Sequence, residues 1–341
     1  MARMVTVGQL GGQDVHRITL TGGKGLRAEI LTNGARLAEL WVPDRAGTLA
    51  DIVLGFDKLT DWQDQGGYLG ATCGRYSNRV ANGRFSLDGR AIQLDCNEGQ
   101  QHLHGGRSGL DTKLWEIEDH SDARVTLATQ SPAGEMGYPG AMTARVTYRV
   151  AGLGLTIEME ARTDAPTVVN LVNHAYFNLA GHGSGDVLGQ SLQVDAAFYL
   201  PVDERLIPTG EVRKVAGTPF DFRAPRAIGT EMPGPGGFDH NLCLSSPTDV
   251  TGLRPCLCAE DPVSGRRMQL STTEPGLQLY TGAHFAGTSG KAGARYPRFA
   301  GFAAETQRFP NSPNMPHFPS ARLDPGQVYR HIMKFDFTPT A

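Results

Sequence analysis

Alternation of apolar and polar residues with a period of two is the feature of this sequence that most constrains its fold. Val146, Tyr148 and Val150 alternate with polar residues, and residues 155–160 (LTIEME) repeat the pattern after the short Gly-containing connection AGLG. Successive side chains of a β-strand point to opposite faces. The pattern therefore predicts a hairpin with one buried face and one face in water.

Further strands are predicted along the chain, with turns between them. A second hairpin is predicted where RFSL and AIQL flank Asp88-Gly89, because these two residues tolerate the positive φ angles of a type I′ turn. One short helix is predicted over residues 57–65, with Trp62 as its buried anchor. The other predicted strands are residues 15–20, 26–32, 124–129, 191–196, 266–272, 276–282 and 327–337.

The abundance of turn-forming residues also favours an all-β fold. The chain has 43 Gly and 21 Pro among 341 residues, which exceeds their usual share of roughly 12%. Short strands separated by such turns are typical of large antiparallel sandwiches and barrels. Because no Pro- or Ser-rich linker divides the chain, we predict one domain over residues 1–341, a large antiparallel β-sandwich with very little helix.

Charge and composition exclude several classes of function. With 32 Lys and Arg against 35 Asp and Glu, the net charge of −3 lacks the basic surface that nucleic-acid binding needs. No run of eighteen apolar residues occurs, so no membrane-spanning segment is expected. Five scattered cysteines do not make a disulfide scaffold, and the first residues lack the apolar segment of a signal peptide. A cytoplasmic location is therefore expected.

Clusters of hydrogen-bonding side chains interrupt the apolar strand sequence and are candidates for a ligand site. They contain no phosphate-binding loop, no GxSxG and no GxGxxG, which disfavours nucleotide cofactors and serine hydrolysis. The clusters are residues 74–85 (GRYSNRVANGRF), 102–106 (HLHGG), 168–181 (VVNLVNHAYFNLAG), 237–242 (GFDHNL) and 301–310 (GFAAETQRFP), with 274–282 (EPGLQLYTG) between the last two.

His174 is a candidate for proton transfer. Extended geometry would place it on one face with Asn170, Val172 and Tyr176, which suits the wall of a site for a polyhydroxylated ligand. The alternative is a core histidine that bonds the backbone.

Glu305 is the second candidate. It lies among Phe and Ala residues, so burial is expected to raise its pKa toward the range that a general base needs. The alternative is a salt bridge to Arg308 or another arginine. Arg79 could orient a substrate hydroxyl or pair with a carboxylate. Asp239 lies in a Gly-rich loop, where Asp is also common as a turn former.

Two other patterns could bind metal or act in redox chemistry. His102 and His104 are spaced to share a strand face, but no third ligand in a matching context accompanies them. Cys256 and Cys258 have no second cysteine pair elsewhere, so they are interpreted as structural thiols in a strand.

At these same clusters the sequence resembles the aldose 1-epimerase (galactose mutarotase) family. The likeness runs from about residue 25 to the C-terminus and covers many motifs in the family's order. The segment GRYSNRVANGRFSLDGRAIQLDCNEGQQHLHGG is similar to the family's Gly-Arg, Asn-Arg and Leu-His-Gly-Gly signature. The later matches are VVNLVNHAYFNLAG, YLPVDERLIPTGEV, FDHNL, EPGLQLYTG and FAAETQRFPNSPNMPHFPS. The chain departs from the family at Ser77, at Ala175 and in TGAHF (281–285).

The resemblance implies a β-sandwich whose concave face holds one monosaccharide, with no cofactor and no metal. It implies His174 as the general acid and Glu305 as the general base. The sugar-contacting positions that it implies are Asn78, Arg79, His104, Tyr176, Asp239 and Gln278.

The function that follows from the resemblance is mutarotation. The enzyme would interconvert the α and β anomers of a free aldohexose or aldopentose by opening and closing the ring. The expected partner is the monosaccharide, with neither nucleic acid nor membrane, and the expected state is a monomer or weak homodimer. Two alternatives stay open: a glycoside hydrolase that uses Glu305 and Asp239, and a non-catalytic carbohydrate-binding module.

Overall fold

Antiparallel strands are the main regular structure in the computed structural model, which describes residues 3–23, 25–64 and 66–340. The strands of the first half are β1 (Met4–Leu10), β2 (Gln13–Thr21), β3 (Arg27–Leu31), β4 (Arg36–Pro43), β5 (Leu49–Asp51), β6 (Thr72–Cys73), β7 (Arg79–Val80), β8 (Arg84–Leu87), β9 (Arg90–Gln93), β10 (His102–Leu103), β11 (Glu116–Ser121), β12 (Arg124–Ser131), β13 (Met142–Ala151), β14 (Gly154–Thr163) and β15 (Thr167–Val168).

The second half continues in the same way. Its strands are β16 (Val172–Asn173), β17 (Tyr176–Phe177), β18 (Ser191–Val194), β19 (Ala196–Tyr199), β20 (Arg213–Lys214), β21 (Arg226–Ala227), β22 (Asp239–Leu244), β23 (Arg254–Glu260), β24 (Arg266–Thr272), β25 (Gly276–Tyr280), β26 (Thr288–Ser289), β27 (Arg295–Tyr296), β28 (Phe302–Gln307), β29 (Arg322–Leu323) and β30 (Tyr329–Pro339).

Helical structure is short wherever it occurs in the described part of the chain. The α-helix α1 spans Leu59–Asp64, and no helix among the described residues is long and apolar enough to cross a bilayer. The 3₁₀ helices are Ala81–Gly83, Leu110–Thr112, Glu135–Gly137, Ile228–Thr230, Lys291–Gly293 and Ser312–Asn314.

Two large sheets pack face to face and define where a ligand can sit. The first has nine strands in the order β11-β12-β13-β14-β30-β24-β23-β18-β21, and the second has six in the order β17-β28-β25-β22-β19-β20. Side chains such as Ile157 and Phe335 from the first sheet and Leu277 and Phe302 from the second belong to one core cluster. Because side chains alternate across a sheet, the other face of the six-stranded sheet is left for polar residues.

The predicted fold class is confirmed, and so are its clearest local features. β13 and β14 form the predicted hairpin in register from Met142–Thr163 to Ala151–Gly154. Asp88 and Gly89 have φ angles of 51° and 76°, as a type I′ turn requires. The predicted helix over 57–65 is observed as α1 with Trp62 buried, and its last predicted residue, Gln65, lies outside the described residues.

Candidate active site

A cavity of about 170 Å³ lies on the polar face of the six-stranded sheet. Seven of the eight site residues that the sequence analysis named contribute to its wall, and Gln278 does not. The lining residues are Gly67, Tyr68, Asn78, Arg79, Leu103, His104, His174, Tyr176, Asp239, Tyr280, His284 and Glu305.

Strand alternation aims Glu305 into this cavity. Phe302 and Ala304 of β28 face the main core, so Glu305 faces the opposite side, where its carboxyl is only 2% exposed. The alternative of a salt bridge with Arg308 is not what the structure shows. Arg308 instead places its Nε 3.1 Å from Oε2 of Glu274.

His174 lies opposite Glu305, in a bend between the two-residue strands β16 and β17. Its Nε2 is 3.4 Å from Oε1 of Glu305, and its ring lies 4.9 Å from that of Tyr176. The backbone N–H of His174 donates to Ala71 O at 2.8 Å, which fixes the bend. The histidine and the carboxylate, 131 positions apart in the sequence, thus meet in one buried cavity.

The expectation that extended geometry places Asn170 and Val172 on one face with His174 and Tyr176 is wrong. The run is divided into separate strand fragments, and Asn170 serves the backbone rather than the cavity. Its Nδ2 donates to Ser77 O, and its Oδ1 accepts from the N–H of Arg308. Only His174 and Tyr176 of the predicted face reach the wall.

Burial controls the charge of the pair. It raises the pKa of Glu305 well above its usual range, as expected from the sequence, with nearby Asp239 acting in the same direction. It lowers the pKa of His174 to about 3. Both shifts favour the uncharged forms, so without a ligand the pair holds one proton, on the carboxyl. Nδ1 of His174 and Oε2 of Glu305 have no protein hydrogen-bond partner.

His104 is a fixed hydrogen-bond donor at the edge of the pair. Its Nδ1 accepts the backbone N–H of Asn78 at 3.2 Å, and burial lowers its pKa well below the usual value. The ring is therefore neutral with its hydrogen on Nε2. Asn78 and His104 have φ angles of 60° and 51°, a left-handed conformation that non-Gly residues adopt mainly at turns and functional sites.

Within the described ranges, the residues that could hold a metal differ from the His102 and His104 pair noted in the sequence. His102 points away from the cavity, with Nδ1 2.6 Å from Asp95 O and Nε2 2.5 Å from the Tyr138 hydroxyl. Among the described residues, ligand atoms of His104, His174 and Glu305 lie within 4.8 Å of one another and could together hold a transition-metal ion.

Arg79 and Asp239 form the other wall of the cavity. Nε and Nη2 of Arg79 donate to the two carboxylate oxygens of Glu98 at 2.6 and 2.7 Å, while its Nη1 lies 3.8 Å from Asp239 Oδ2. Asp239 Oδ1 accepts from Gln278 Nε2 at 2.6 Å. Asp239 is therefore held by the sheet rather than by a turn, and Gln278 positions it from behind.

Glu98 was not identified from the sequence, and its substitution tests how much the ion pair with Arg79 contributes to ligand binding. Glu98→Gln removes the negative charge from this bidentate contact. An ion pair at a half-exposed site is worth about 1 kcal/mol. We expect KM for the ligand of this cavity to rise about fivefold with little change in kcat. Steady-state kinetics measures both. As a control, Glu211→Gln weakens a similar bidentate ion pair with Arg213 outside this cavity, and it should change neither KM nor kcat.

Three aromatic side chains that the sequence analysis did not name complete the wall. The Tyr68 ring lies 4.6 Å from that of His104 and 5.9 Å from that of His174. The Tyr280 hydroxyl is 2.8 Å from Nδ1 of His284. Tyr280 and His284 fall within segments quoted in the sequence analysis, whereas no motif around Tyr68 predicts a role in the site.

Comparison with known proteins finds one family across nearly the whole chain. A family model described as aldose 1-epimerase matches residues 16–336. The chain is 42% identical over 332 residues to a galactose mutarotase from Bos taurus, with 96% of each chain covered. A solved aldose epimerase homologue from C. elegans has a TM-score of 0.89 at 32% identity, covering 95% of this chain and 99% of that one. For a galactose 1-epimerase from Lactobacillus acidophilus the TM-score is 0.88 at 28% identity, covering 100% and 99%.

Proposed function

The chain belongs to the aldose 1-epimerase family, and from that premise we propose that His174 and Glu305 are the acid–base pair with which it opens and closes the ring of a free aldose. The observation that carries this proposal is the 3.4 Å approach of His174 Nε2 to Glu305 Oε1 inside one buried cavity. The chain is a mutarotase by its relatives, so what is proposed here is the assignment of roles.

Ring opening moves two protons. Glu305 takes the proton of the anomeric hydroxyl while His174 gives a proton to the ring oxygen, and the C1–O5 bond breaks to leave an aldehyde. Rotation about C1–C2 presents the other face of the aldehyde. Closure then returns one proton from Glu305 to the former carbonyl oxygen, and His174 recovers its own from the C5 hydroxyl. The protons balance, so no cofactor is required.

The preference of the buried His174–Glu305 pair for its uncharged forms suits this cycle. Opening starts from charged His174 and Glu305 and ends with both uncharged. The uncharged state is the one that burial favours. The pocket therefore stabilises the open-chain intermediate, while hydrogen bonds from the bound sugar compensate for the charged starting state.

The remaining wall would orient the sugar. Nε2–H of His104 and the guanidinium of Arg79 are donors for ring and hydroxyl oxygens, and the Asp239 carboxylate accepts from remote hydroxyls. Asn78 and Tyr176 are proposed as further contacts. Such positioning supplies the near-attack geometry that two concerted proton transfers need.

We propose D-galactose as a substrate, since the Bos taurus relative is named a galactose mutarotase, and D-glucose as a second. In a polarimeter, the protein should speed the decay of fresh α-D-galactose to its equilibrium rotation. Cleavage of an aryl galactoside instead would favour the hydrolase, and saturable binding without faster decay would favour the binding module. Neither alternative is favoured, because the matching family model and the curated relatives are epimerases and mutarotases.

A pH profile tests the shared proton. Activity requires one proton on the His174–Glu305 pair. The pKa of His174 is lowered, so a second proton binds only far below neutrality, and the pKa of Glu305 is raised, so the single proton is kept at higher pH. We expect kcat/KM to stay level from neutrality down to about pH 5, without the acid limb near ~6.5 of an ordinary histidine. A limb near that value, after subtraction of spontaneous mutarotation, would contradict this.

Two wider proposals accompany the enzymatic one. A cytoplasmic location is supported by the five cysteines, all of which are free thiols, and cell fractionation tests it. A single domain is supported by the core cluster, which reaches from Ile18 to Phe337. One calorimetric unfolding transition is expected, and two independent transitions would contradict it.

A further inference from the structure

His284 lies at the mouth of the catalytic cavity and has no part in the proposed proton transfers. It lines the cavity wall and is exposed, whereas His174 and Glu305 are buried. It falls in TGAHF (281–285), where the sequence departs from the family pattern, so the resemblance assigns it no role. An accessible histidine on the wall of a ligand cavity is available for contact with the ligand.

The ring of His284 is held by its aromatic neighbours. Phe285, the next residue, is buried, and its ring lies 4.1 Å from that of His284. The Tyr280 ring is stacked with that of His284, with centroids 5.7 Å apart and an angle of 11° between the planes. The Tyr176 ring lies 5.8 Å away. The imidazole is therefore preorganised for a contact in the cavity.

Hydrogen bonding leaves this ring one free donor. The Tyr280 hydroxyl accepts the backbone N–H of His284 at 3.3 Å and lies 2.8 Å from its Nδ1. Because the hydroxyl accepts the backbone hydrogen, its own hydrogen points to Nδ1. Partial desolvation lowers the pKa of His284, so the neutral ring carries its hydrogen on Nε2. Within the described part of the chain, Nε2 has no hydrogen-bond partner.

The free Nε2 faces Gly67 across the mouth of the cavity. A Cβ atom added to Gly67 would lie 3.2 Å from Nε2 of His284, so any side chain at position 67 would crowd this donor. Gly67 also lines the cavity, and its φ angle of 79° is one that glycine adopts readily. The glycine thus leaves the donor open toward the cavity.

The strand register shows which end of a bound sugar His284 would meet. Tyr176 on β17 and Asp239 on β22 lie on opposite sides of Glu305, which is on β28. The rings of His174 and His284 lie 4.9 and 5.8 Å from that of Tyr176. Both histidines are therefore on the β17 side, away from Asp239.

The proposed acid–base roles orient the sugar in this arrangement. With the ring oxygen at His174 and the anomeric hydroxyl at Glu305, C5 lies on the Tyr176 side. C2 then lies toward Asp239. In an aldohexose, C5 carries a hydroxymethyl group, which extends from the ring toward the mouth of the cavity, where His284 lies. The pyranose of an aldopentose has no such group.

We propose that His284 is a specificity-determining residue whose Nε2–H donates to the C6 hydroxyl of an aldohexose, so that the enzyme favours aldohexoses over aldopentoses. The inference rests on the roles proposed for His174 and Glu305, because those roles orient the sugar. The contact is remote from the reacting bonds, so it should lower KM without changing kcat. A neutral hydrogen bond of ordinary strength corresponds to about a fivefold change in KM.

D-Galactose and 6-deoxy-D-galactose differ only in the C6 hydroxyl, so the ratio of their KM values isolates this contact. In polarimetry, the wild type should have a KM for D-galactose about fivefold below that for the 6-deoxy sugar. His284→Phe keeps an aromatic ring but removes the donor, and it should bring the ratio to about one with kcat unchanged. His284→Ala should give the same ratio, which separates loss of the donor from the shape of the phenylalanine ring.

His120→Phe is the matched control, because His120 is an exposed histidine on β11 of the other large sheet. It should keep the wild-type ratio. A wild-type ratio near one, or a fivefold ratio that survives in His284→Phe, would overturn the inference while galactose turnover continued. Absence of turnover of both sugars by the wild type would instead contradict the proposed function, and this inference with it.

Discussion

Glu305→Gln is expected to lower kcat for mutarotation by ~10²–10⁴-fold and to leave the protein folded. The amide has the shape of the carboxyl group but cannot take the proton of the anomeric hydroxyl. Oε2 of Glu305 has no protein partner, and burial raises the pKa of the group, so an amide loses little in the fold. Polarimetry of purified protein gives kcat, and thermal unfolding should show equal or higher stability.

Glu274→Gln is the matched control for this change. Glu274 is also a buried carboxyl whose pKa burial raises, but it pairs with Arg308 outside the cavity. We expect this variant to lose stability and to keep its turnover per folded molecule. Near-normal kcat in Glu305→Gln would remove Glu305 as the base.

His174→Asn is expected to reduce kcat by a similar ~10²–10⁴-fold, because the asparagine cannot deliver a proton to the ring oxygen. Nδ1 of His174 has no protein partner, so the fold loses little through the change. His331 provides the control, since burial also lowers its pKa to about 3. Its Nδ1 is 2.9 Å from Leu171 O and its Nε2 is 2.8 Å from the Thr306 hydroxyl.

The two histidines should therefore respond in opposite ways. His331→Asn breaks two buried hydrogen bonds and should cost about 1–3 kcal/mol of stability for each group left unpaired, with kcat retained. His174→Asn should keep the melting temperature and lose kcat. If both variants only lowered stability, His174 would be a structural histidine, which is the alternative that the sequence left open.

The sequence predicted best where structure follows from a repeated local pattern. The β13–β14 hairpin is ten residues long in each strand, and its alternation is visible without any other information. The strands around the site are different. β7, β10, β16 and β17 have two residues each, too few for a period to be seen. β16 and β17 pair with β6 and β28, which lie far from them in the chain. The common face expected for Asn170, Val172, His174 and Tyr176 was therefore wrong.

For the site as well, local motifs were predicted correctly and contacts between distant segments were not. Motif resemblance located the residues on the cavity wall, but it could not show that Gln278 lies behind Asp239 or that Glu98 holds Arg79. Those relations depend on pairing between distant segments. Tyr68 was missed because its side chain reaches the cavity from a residue with a φ angle of 57°. The neighbouring sequence does not predict this conformation for an aromatic residue.

A crystal structure of the Glu305→Gln variant with D-galactose would show directly whether His174 and Glu305 face the anomeric centre. We expect one sugar in the cavity with its anomeric hydroxyl against the side chain at position 305. The ring oxygen should lie within hydrogen-bond distance of His174 Nε2, roughly 2.6–3.2 Å. A sugar bound there with its anomeric carbon turned toward Asp239, away from both groups, would contradict it.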